Sequence, residues 1–567
     1  MKRGEAGKKQ EGWVNVSSHL TEMAAAHPRW RAVVVPAGRD RANRVCYAHY
    51  TFRQLDRASD RIAHGLAEAG IGRGVRTILM VTPSLDFFAL TFALFKAGAV
   101  PVMVDPGMGL LRMLSCLAQS RPEGFIGIPK AHVLRTLRPR YFPTVRTWVT
   151  VGRRWFWDGF TLSRLADRPW QPFPPVRTDP SETAAILFTT GSTGPAKGAV
   201  YTHGVFDAQV RSIRDRFGIR PGEIDLPTFP LFALFAPALG MTAVIPDMDP
   251  TRPARVDPVK IIEAVENQGV TNMFASPALL HRVGAYGSRR RIKLTSIRRV
   301  ISAGAPTLPA NVAQFSALLA GGAQVHSGYG ATEAMPVSSI GSREILSETG
   351  KWSERGRGTC VGRPLPGMEV RIIAITDDPI PEWSENLCVS AGEIGEITVK
   401  GPVVTRRYFE RPRDEALSKI RQGSAVWHRM GDVGWQDEKG RIWFCGRKGH
   451  RVTTGDGTLF TIPCEAIFNR HPAVFRSALV GVGPAGRQTP VICIEREKNR
   501  APQRRAALRA ELLDLARTSP LTERIETVLF HPSFPVDIRH NSKIFREKLA
   551  GWAGRKLKGG AGSDWSE

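Results

Sequence analysis

The stretch TILMVTPSLDFFALTFALFKAGAVPVMV, residues 77–104, decides the fold class. Residues 77–81 read as a strand, 85–97 as an apolar helix and 100–104 as a second strand. A strand, a crossover helix and a strand form a β-α-β unit, and such a crossover implies parallel strands. Just upstream, Leu55, Ala58, Ile62, Leu66 and Ala69 recur at helical spacing, with Gly70 suited to ending that helix. The alternation returns downstream, with strands at 185–188, 271–275 and 299–302 and helices at 258–266 and 311–319. Most of the chain is therefore predicted to be α/β.

With 567 residues the chain is too long for one compact domain. The pattern changes near residue 448. A turn at His471-Pro472 follows, then strands at 478–482 and 491–495 and an Arg-rich helix at about 503–516. The expected organisation is a large N-terminal multi-layer α/β domain over 13–447 and a small, mobile C-terminal α+β domain over 448–557. The polar tails 1–12 and 558–567 are expected to be disordered.

The hydrophobic fraction of 42% is that of a folded soluble protein, while the formal net charge of +27 favours an anionic partner. Charge alone leaves nucleotide, fatty acid, membrane surface, acidic protein and nucleic acid open. Lys and Arg are dispersed rather than gathered with aromatics into a binding module, which argues against nucleic acid. Seven cysteines without a CxxC pair suggest a reducing compartment, with neither a disulfide framework nor a zinc site. The basic, polar start lacks the apolar core of a signal peptide, and a cytoplasmic location is expected. Residues 226–246 carry no charge and are long enough to span a bilayer, but Pro227, Pro230, Pro237 and Pro246 interrupt the run. We read it as buried loops and strands lining an apolar cavity, and expect no transmembrane segment.

The chemistry concentrates in Phe188-Thr189-Thr190-Gly191-Ser192-Thr193-Gly194-Pro195-Ala196-Lys197-Gly198. A strand runs directly into glycines that let backbone N–H groups converge on phosphate oxygens, with four hydroxyls and the Lys197 ammonium as further donors. No Gly-Lys-Ser/Thr ends the run, so it is not a Walker A loop.

This loop resembles that of the superfamily containing acyl-CoA synthetases, peptide-synthetase adenylation domains and firefly-type luciferases, over roughly residues 40–550. The resemblance implies ATP and Mg²⁺ as cofactors and acyl-adenylate formation as the reaction. It implies that Gly304-Ala305-Pro306 binds adenine. Within Tyr329-Gly330-Ala331-Thr332-Glu333, it implies that Tyr329 stacks on the base, Thr332 meets phosphate and Glu333 holds Mg²⁺. A hard carboxylate suits that ion. Asp432, after Gly431, would clamp the ribose hydroxyls with help from Arg447. Lys543, in Asn541-Ser542-Lys543-Ile544-Phe545-Arg546, stands where the family has its catalytic lysine, although Ser542 replaces the usual glycine. Its charge would offset that of the transition state.

Two departures count against ordinary coenzyme A ligation: Gly449 and His450 in the hinge, and Thr454-Gly455-Asp456-Gly457 where CoA ligases often have paired glycines. The run 226–254 and the ending Arg539–Arg546 resemble the branch of the superfamily that closes β-lactones in bacterial long-chain olefin biosynthesis. That resemblance implies a 2-alkyl-3-hydroxy fatty acid as substrate, and a β-lactone decarboxylase and a reductase as pathway partners. Phe229, Phe232, Phe235 and Met241 are expected to line the acyl pocket. His203, just after the phosphate loop, is the candidate base for ring closure. A long-chain acyl-CoA ligase remains the competing reading. The basic surface leaves peripheral contact with anionic lipid open.

Overall fold

The computed structural model describes residues 12–189, 196–497, 504–536 and 544–559. The β-α-β unit forms as strand Arg76–Met80, helix Leu85–Lys96 and strand Val100–Val104, with Ile78 opposite Val102 in a parallel pair. Ser84 starts the helix by accepting a hydrogen bond from the Phe87 N–H at 3.2 Å. Asp86 in its first turn and Lys96 in its last complement the helix dipole.

Around this unit lies a seven-stranded sheet. Its order is Phe160–Thr161, Thr147–Thr150, Gly124–Gly127, Arg76–Met80, Val100–Val104, Thr183–Thr189, Lys197–Thr202. All neighbours are parallel except the last pair, a hairpin. A second sheet of fourteen strands has a parallel centre of Ile224–Pro227, Asn272–Ala275, Arg299–Ser302 and Gln324–Ala331. It turns antiparallel at Ala334–Gly341 and continues through Thr359–Pro364 and Ile442–Arg447 to Ala425–Gln436.

Successive strand residues point to opposite faces, and here they enter different cores. Leu79 and Ile126 join Val33 and Ala243 of the other sheet in one core, with helices Phe52–Glu68 and Leu85–Lys96 between them. Their neighbours Ile78 and Phe125 pack outward with helix Leu110–Gln119. On the far side Val34, Met273 and Val300 pack beneath helices Pro258–Gln268 and Pro277–Arg289. The result is helix, sheet, helix, sheet, helix, a large multi-layer α/β body.

Beyond Arg447 the chain builds separate cores around a three-stranded sheet, Val474–Val482, Thr489–Arg496 and Thr527–Phe530, with helices Thr461–Phe468, Arg505–Arg517 and Arg546–Gly559. Two expectations shift. The run 226–246 contains two short helices, Pro230–Ala233 and Phe235–Ala238, besides its strands. Pro230 sits at a helix start, where a missing N–H costs nothing. The final helix reaches Gly559, so Lys558 and Gly559 are helical rather than part of a tail. No helix among the described residues is long and apolar enough to cross a membrane.

The central helices are fastened by a buried charge. Lys96 is 1% exposed, and its ammonium donates to Asp56 Oδ1 at 2.7 Å and to Asp60 Oδ1 at 2.5 Å. The Trp170 indole donates to Asp60 Oδ2 at 3.0 Å. Lys96→Met would leave the buried Asp60 and the half-buried Asp56 carboxylates without their cation, a loss of about 3–5 kcal/mol. Calorimetry should show a clear fall in melting temperature, and an unchanged melt would refute this role.

Candidate active site

Strand Thr183–Thr189 and strand Lys197–Thr202 pair with Phe188 opposite Gly198 and Thr189 opposite Lys197. The phosphate-loop candidates Thr190, Gly191, Ser192, Thr193 and Gly194 connect them in sequence and lie outside the described residues, as does Lys543. The hairpin stands at the carboxyl end of the parallel strands, where ligands gather in open α/β sheets. Gly198 permits its close pairing, because a Cβ there would lie 2.7 Å from the Phe188 ring. Lys197, on the returning strand, forms an ion pair with Asp414 Oδ1 at 2.9 Å and lies 5.3 Å from the Tyr408 ring centre.

The second sheet supplies the acidic groups. Strands Gln324–Ala331 and Ala334–Gly341 pair Ala331 with Ala334, which leaves Thr332 and Glu333 at the tip of a tight hairpin. Tyr201 donates its hydroxyl to the Thr332 carbonyl. The Thr405 N–H donates to the Glu333 carbonyl at 2.8 Å, fixing the backbone. The Glu333 carboxylate accepts the Tyr408 hydroxyl at 2.7 Å through Oε1. Burial, followed by the charge of Glu333, holds the Tyr408 hydroxyl far above its usual range, so it stays a donor.

Asp432 pairs with Arg447 across adjacent strands, Oδ1 to Nη1 at 2.9 Å, and accepts the Tyr329 hydroxyl on Oδ2 at 2.8 Å. Burial, then the neighbouring Asp432 charge, raises the Tyr329 hydroxyl well above its ordinary value. Asp432 raises the Arg447 guanidinium further. This triad joins the Tyr329-Gly330 strand to the strand that ends at Arg447, so two of the nucleotide candidates are bonded through a third.

A cavity of about 530 Å³ runs from these groups into the gap between the sheets. Lys197, Gly304, Tyr329, Gly330, Thr332, Glu333 and Arg447 line its polar end; Ala305, Pro306 and Asp432 are not among its lining residues. Its other end is apolar. Phe229, Phe232, Phe235 and Met241 all line it, with Phe232 stacked on Phe274 at 4.1 Å. The interrupted run 226–246 thus forms the greasy wall read from its composition.

The structure does not bring His203 to this cavity. The ring is 0% exposed, sits against Phe95 at 6.4 Å and is not among the lining residues. Its Nδ1 accepts the Val16 N–H at 3.3 Å, which assigns the proton to Nε2 and leaves no lone pair to act as a base. Burial lowers it to about 4.

Sequence reading missed the groups behind the acidic tip. Tyr408, Asp414, Lys419 and His428 lie far along the chain from the residues they serve, and no local pattern marks them. Lys419 donates to the Thr405 carbonyl at 2.5 Å, and burial lowers its ammonium to about 7 against the pull of Glu333 and Glu415. His428, on the cavity wall, is held neutral chiefly by burial. Three residues past Lys543 in the chain, Arg546 bonds both oxygens of Glu465, at 2.5 and 2.9 Å, and so anchors the start of the final helix.

Known proteins resemble this chain to different depths. The model of the AMP-binding enzyme family matches residues 20–409. The chain is 49% identical over 554 residues to an olefin beta-lactone synthetase of Stenotrophomonas maltophilia (strain K279a), covering 96% of this chain and 99% of that one. It is 48% identical over 549 residues to an olefin beta-lactone synthetase of Xanthomonas campestris pv. campestris, covering 96% and 98%. The structure of ATP-bound MatB from Rhodopseudomonas palustris has the same fold at 20% identity, with a TM-score of 0.76 over 96% of this chain and 99% of that one. With the family pattern running through both sheets and identity near one half sustained over almost the whole length, this chain belongs to the family of AMP-binding enzymes.

Proposed function

We infer that this protein uses ATP to activate a 2-alkyl-3-hydroxy long-chain fatty acid as its acyl-adenylate and then closes a cis-β-lactone, releasing AMP and pyrophosphate. The observation that carries the reading is a single cavity with a phosphate-suited cationic and hydroxyl-rich end and a phenylalanine-walled end. Near-full-length similarity to olefin beta-lactone synthetases supports the choice of product.

Adenylation requires a carboxylate oxygen to attack the α-phosphorus as pyrophosphate leaves. Lys197 would meet the polyphosphate on exchanging Asp414 for it. Tyr329 would stack on adenine, while Asp432, oriented by Arg447, would accept ribose hydroxyls. Lys543 would neutralise charge building at the α-phosphate. Glu333 fits Mg²⁺: it is a hard carboxylate lining the cavity, with one oxygen already oriented by Tyr408. Among the described residues no cluster of three or more ligating side chains forms a metal cage, as suits an ion held by one or two carboxylates plus phosphates and water. When bound, Mg²⁺ would supply charge neutralisation at the phosphates.

In the second step the 3-hydroxyl oxygen bonds to the acyl carbon, the acyl–phosphate bond breaks, and the hydroxyl proton is lost. Intramolecular attack carries effective concentrations of up to ~10⁵–10⁸ M in favourable cases, reduced here by ring strain. The apolar wall would keep water from the adenylate. On this reading a reductase supplies the hydroxy acid and a β-lactone decarboxylase consumes the product, all in the cytoplasm.

The apolar end holds one polar pair. Asp225 and Asn272 face each other in register on neighbouring strands, both lining the cavity, and the Asn272 amide donates to Asp225 Oδ1. Burial raises the Asp225 carboxyl to about 7, only partly countered by Asn272 and Arg299. A protonated carboxyl can donate in return to Asn272 Oδ1, which otherwise has no partner.

Three outcomes follow. Incubation with ATP, Mg²⁺ and a 2-alkyl-3-hydroxy acid, without coenzyme A, should give a β-lactone by NMR, and the 3-deoxy acid should release pyrophosphate without lactone. Thioester formed only after coenzyme A is added, with no lactone, would overturn the reading. Phe232→Ala should lower kcat/KM for the long-chain acid by about 10–100-fold, as loss of one buried aromatic wall implies, with KM for ATP nearly unchanged. Asp225 binds a proton more tightly folded than unfolded, so its contribution to stability declines as pH rises from about 4 to about 7 and is flat above. Asp225→Asn should remove that decline in melting temperature measured against pH; an unchanged slope would refute it.

A further inference from the structure

The carboxyl end of the seven-stranded sheet carries exposed apolar side chains that the catalytic reading leaves unused. Phe156, at 73%, is the most exposed large hydrophobic side chain among the described residues, and its neighbour Trp155 is 54% exposed. Both lie in the loop that leaves strand Thr147–Thr150. Leu110 and Leu111, 51% and 66% exposed, lie beyond strand Val100–Val104. These strands, with Gly124–Gly127 and Arg76–Met80 between them, are all parallel, so both apolar tips emerge at the same end. Three strand spacings separate them, roughly 14 Å.

The aromatic tip is built to project. Trp157, directly behind it, is 6% exposed, stacks on His132 at 5.2 Å and donates its indole N–H to Thr150 Oγ1 at 2.9 Å. Arg154 donates to the Gly159 carbonyl and so closes the loop. Gly159 has φ +109°, and a Cβ there would lie 2.7 Å from the Trp148 carbonyl oxygen. With Trp157 anchored inside, Trp155 and Phe156 are held out in solvent.

Exposed cations surround the tips. Arg153 and Arg154 immediately precede the aromatic pair, Arg112 follows Leu111, and Lys130 lies in the first turn of the helix that bears His132. Among the described residues, the exposed acids in the segments that directly follow these four strands are Asp86 and Asp158, two against four. The exposed tips line neither the large cavity nor the smaller pocket at the C-terminal unit, so they offer no groove there for a rigid protein partner to fill. They fit a deformable layer in which Trp, Phe and Leu enter the apolar margin while Arg and Lys meet anionic headgroups.

We propose that this end of the sheet is a membrane-docking surface, with Trp155 and Phe156 inserting at an anionic phospholipid interface and Arg153, Arg154, Arg112 and Lys130 meeting its phosphates. Docking would set the enzyme on the phase where a long-chain acid collects. It uses none of the residues of the cavity, so it stands or falls separately from the lactone reading.

The test is flotation of the full chain with phosphatidylglycerol-rich vesicles and with pure phosphatidylcholine vesicles, at about 0.15 M and about 1 M salt. The protein should partition to the anionic vesicles at least tenfold better than to the neutral ones, and high salt should weaken this. Trp155→Ser with Phe156→Ser should reduce partitioning at least tenfold. Arg153→Ser with Arg112→Ser should reduce it and flatten the salt dependence. Both variants should keep the wild-type melting temperature and pyrophosphate release with a short, water-soluble acid. No vesicle binding by the wild type, or equal binding by the aromatic variant, overturns the proposal. Failure to bind vesicles together with aromatic-dependent capture of a second protein would assign the loop to a protein partner instead.

Discussion

Charged groups at the polar end of the cavity stand in or beside a low-dielectric interior, so each needs a partner. An unpaired buried charge is costly, whereas a paired one stays ionised and oriented. Asp432 is placed between Tyr329 and Arg447, Glu333 is held by Tyr408, and Lys197 is paired with Asp414. These bonds join strands that are distant in sequence. The site is therefore also a set of structural ties, and the geometry expected to receive a nucleotide is prepared by the same bonds that make it foldable.

The two ends of the cavity reflect two different physical demands. Phosphates need fixed donors and cations at the carboxyl end of a parallel sheet. A fatty chain needs depth and apolar walls. On the proposed reading the interrupted segment 226–246 would meet the second demand because its prolines prevent a long helix. They leave two short helical turns that present Phe232 and Phe235 to the space between the sheets.

Much of this was legible from local sequence. The strand at Arg299–Ser302 and the helix after Ser84 were readable because apolar periodicity and turn residues act over a few positions. Lys197, Tyr329 and Glu333 were found through short motifs, and they meet at one cavity. Tyr408, Asp414 and Lys419 were not found, because their value lies in contacts that form only when the sheets assemble; Lys197 and Asp414 are joined across a chain separation no periodicity records. Asp225 did leave a local trace, an acidic residue inside an apolar strand, though its partner Asn272 emerges only from strand register. His203 shows the opposite error: proximity in sequence to a phosphate loop put it forward, yet it opens helix His203–Phe217 with its ring buried against Phe95.

The pairing of Lys197 with Asp414 has a selective consequence. Any incoming anion must displace a carboxylate that already satisfies the ammonium, so the exchange is competitive from the outset. A species carrying several negative charges repays the rupture of that pair, whereas one carrying a single charge recovers little more than it breaks. On the proposed reading the resting ion pair would thereby act as a threshold: it would disfavour lone small anions, bias occupancy toward triphosphate over its monophosphate remnant, and help spent nucleotide to depart as Asp414 reclaimed the lysine.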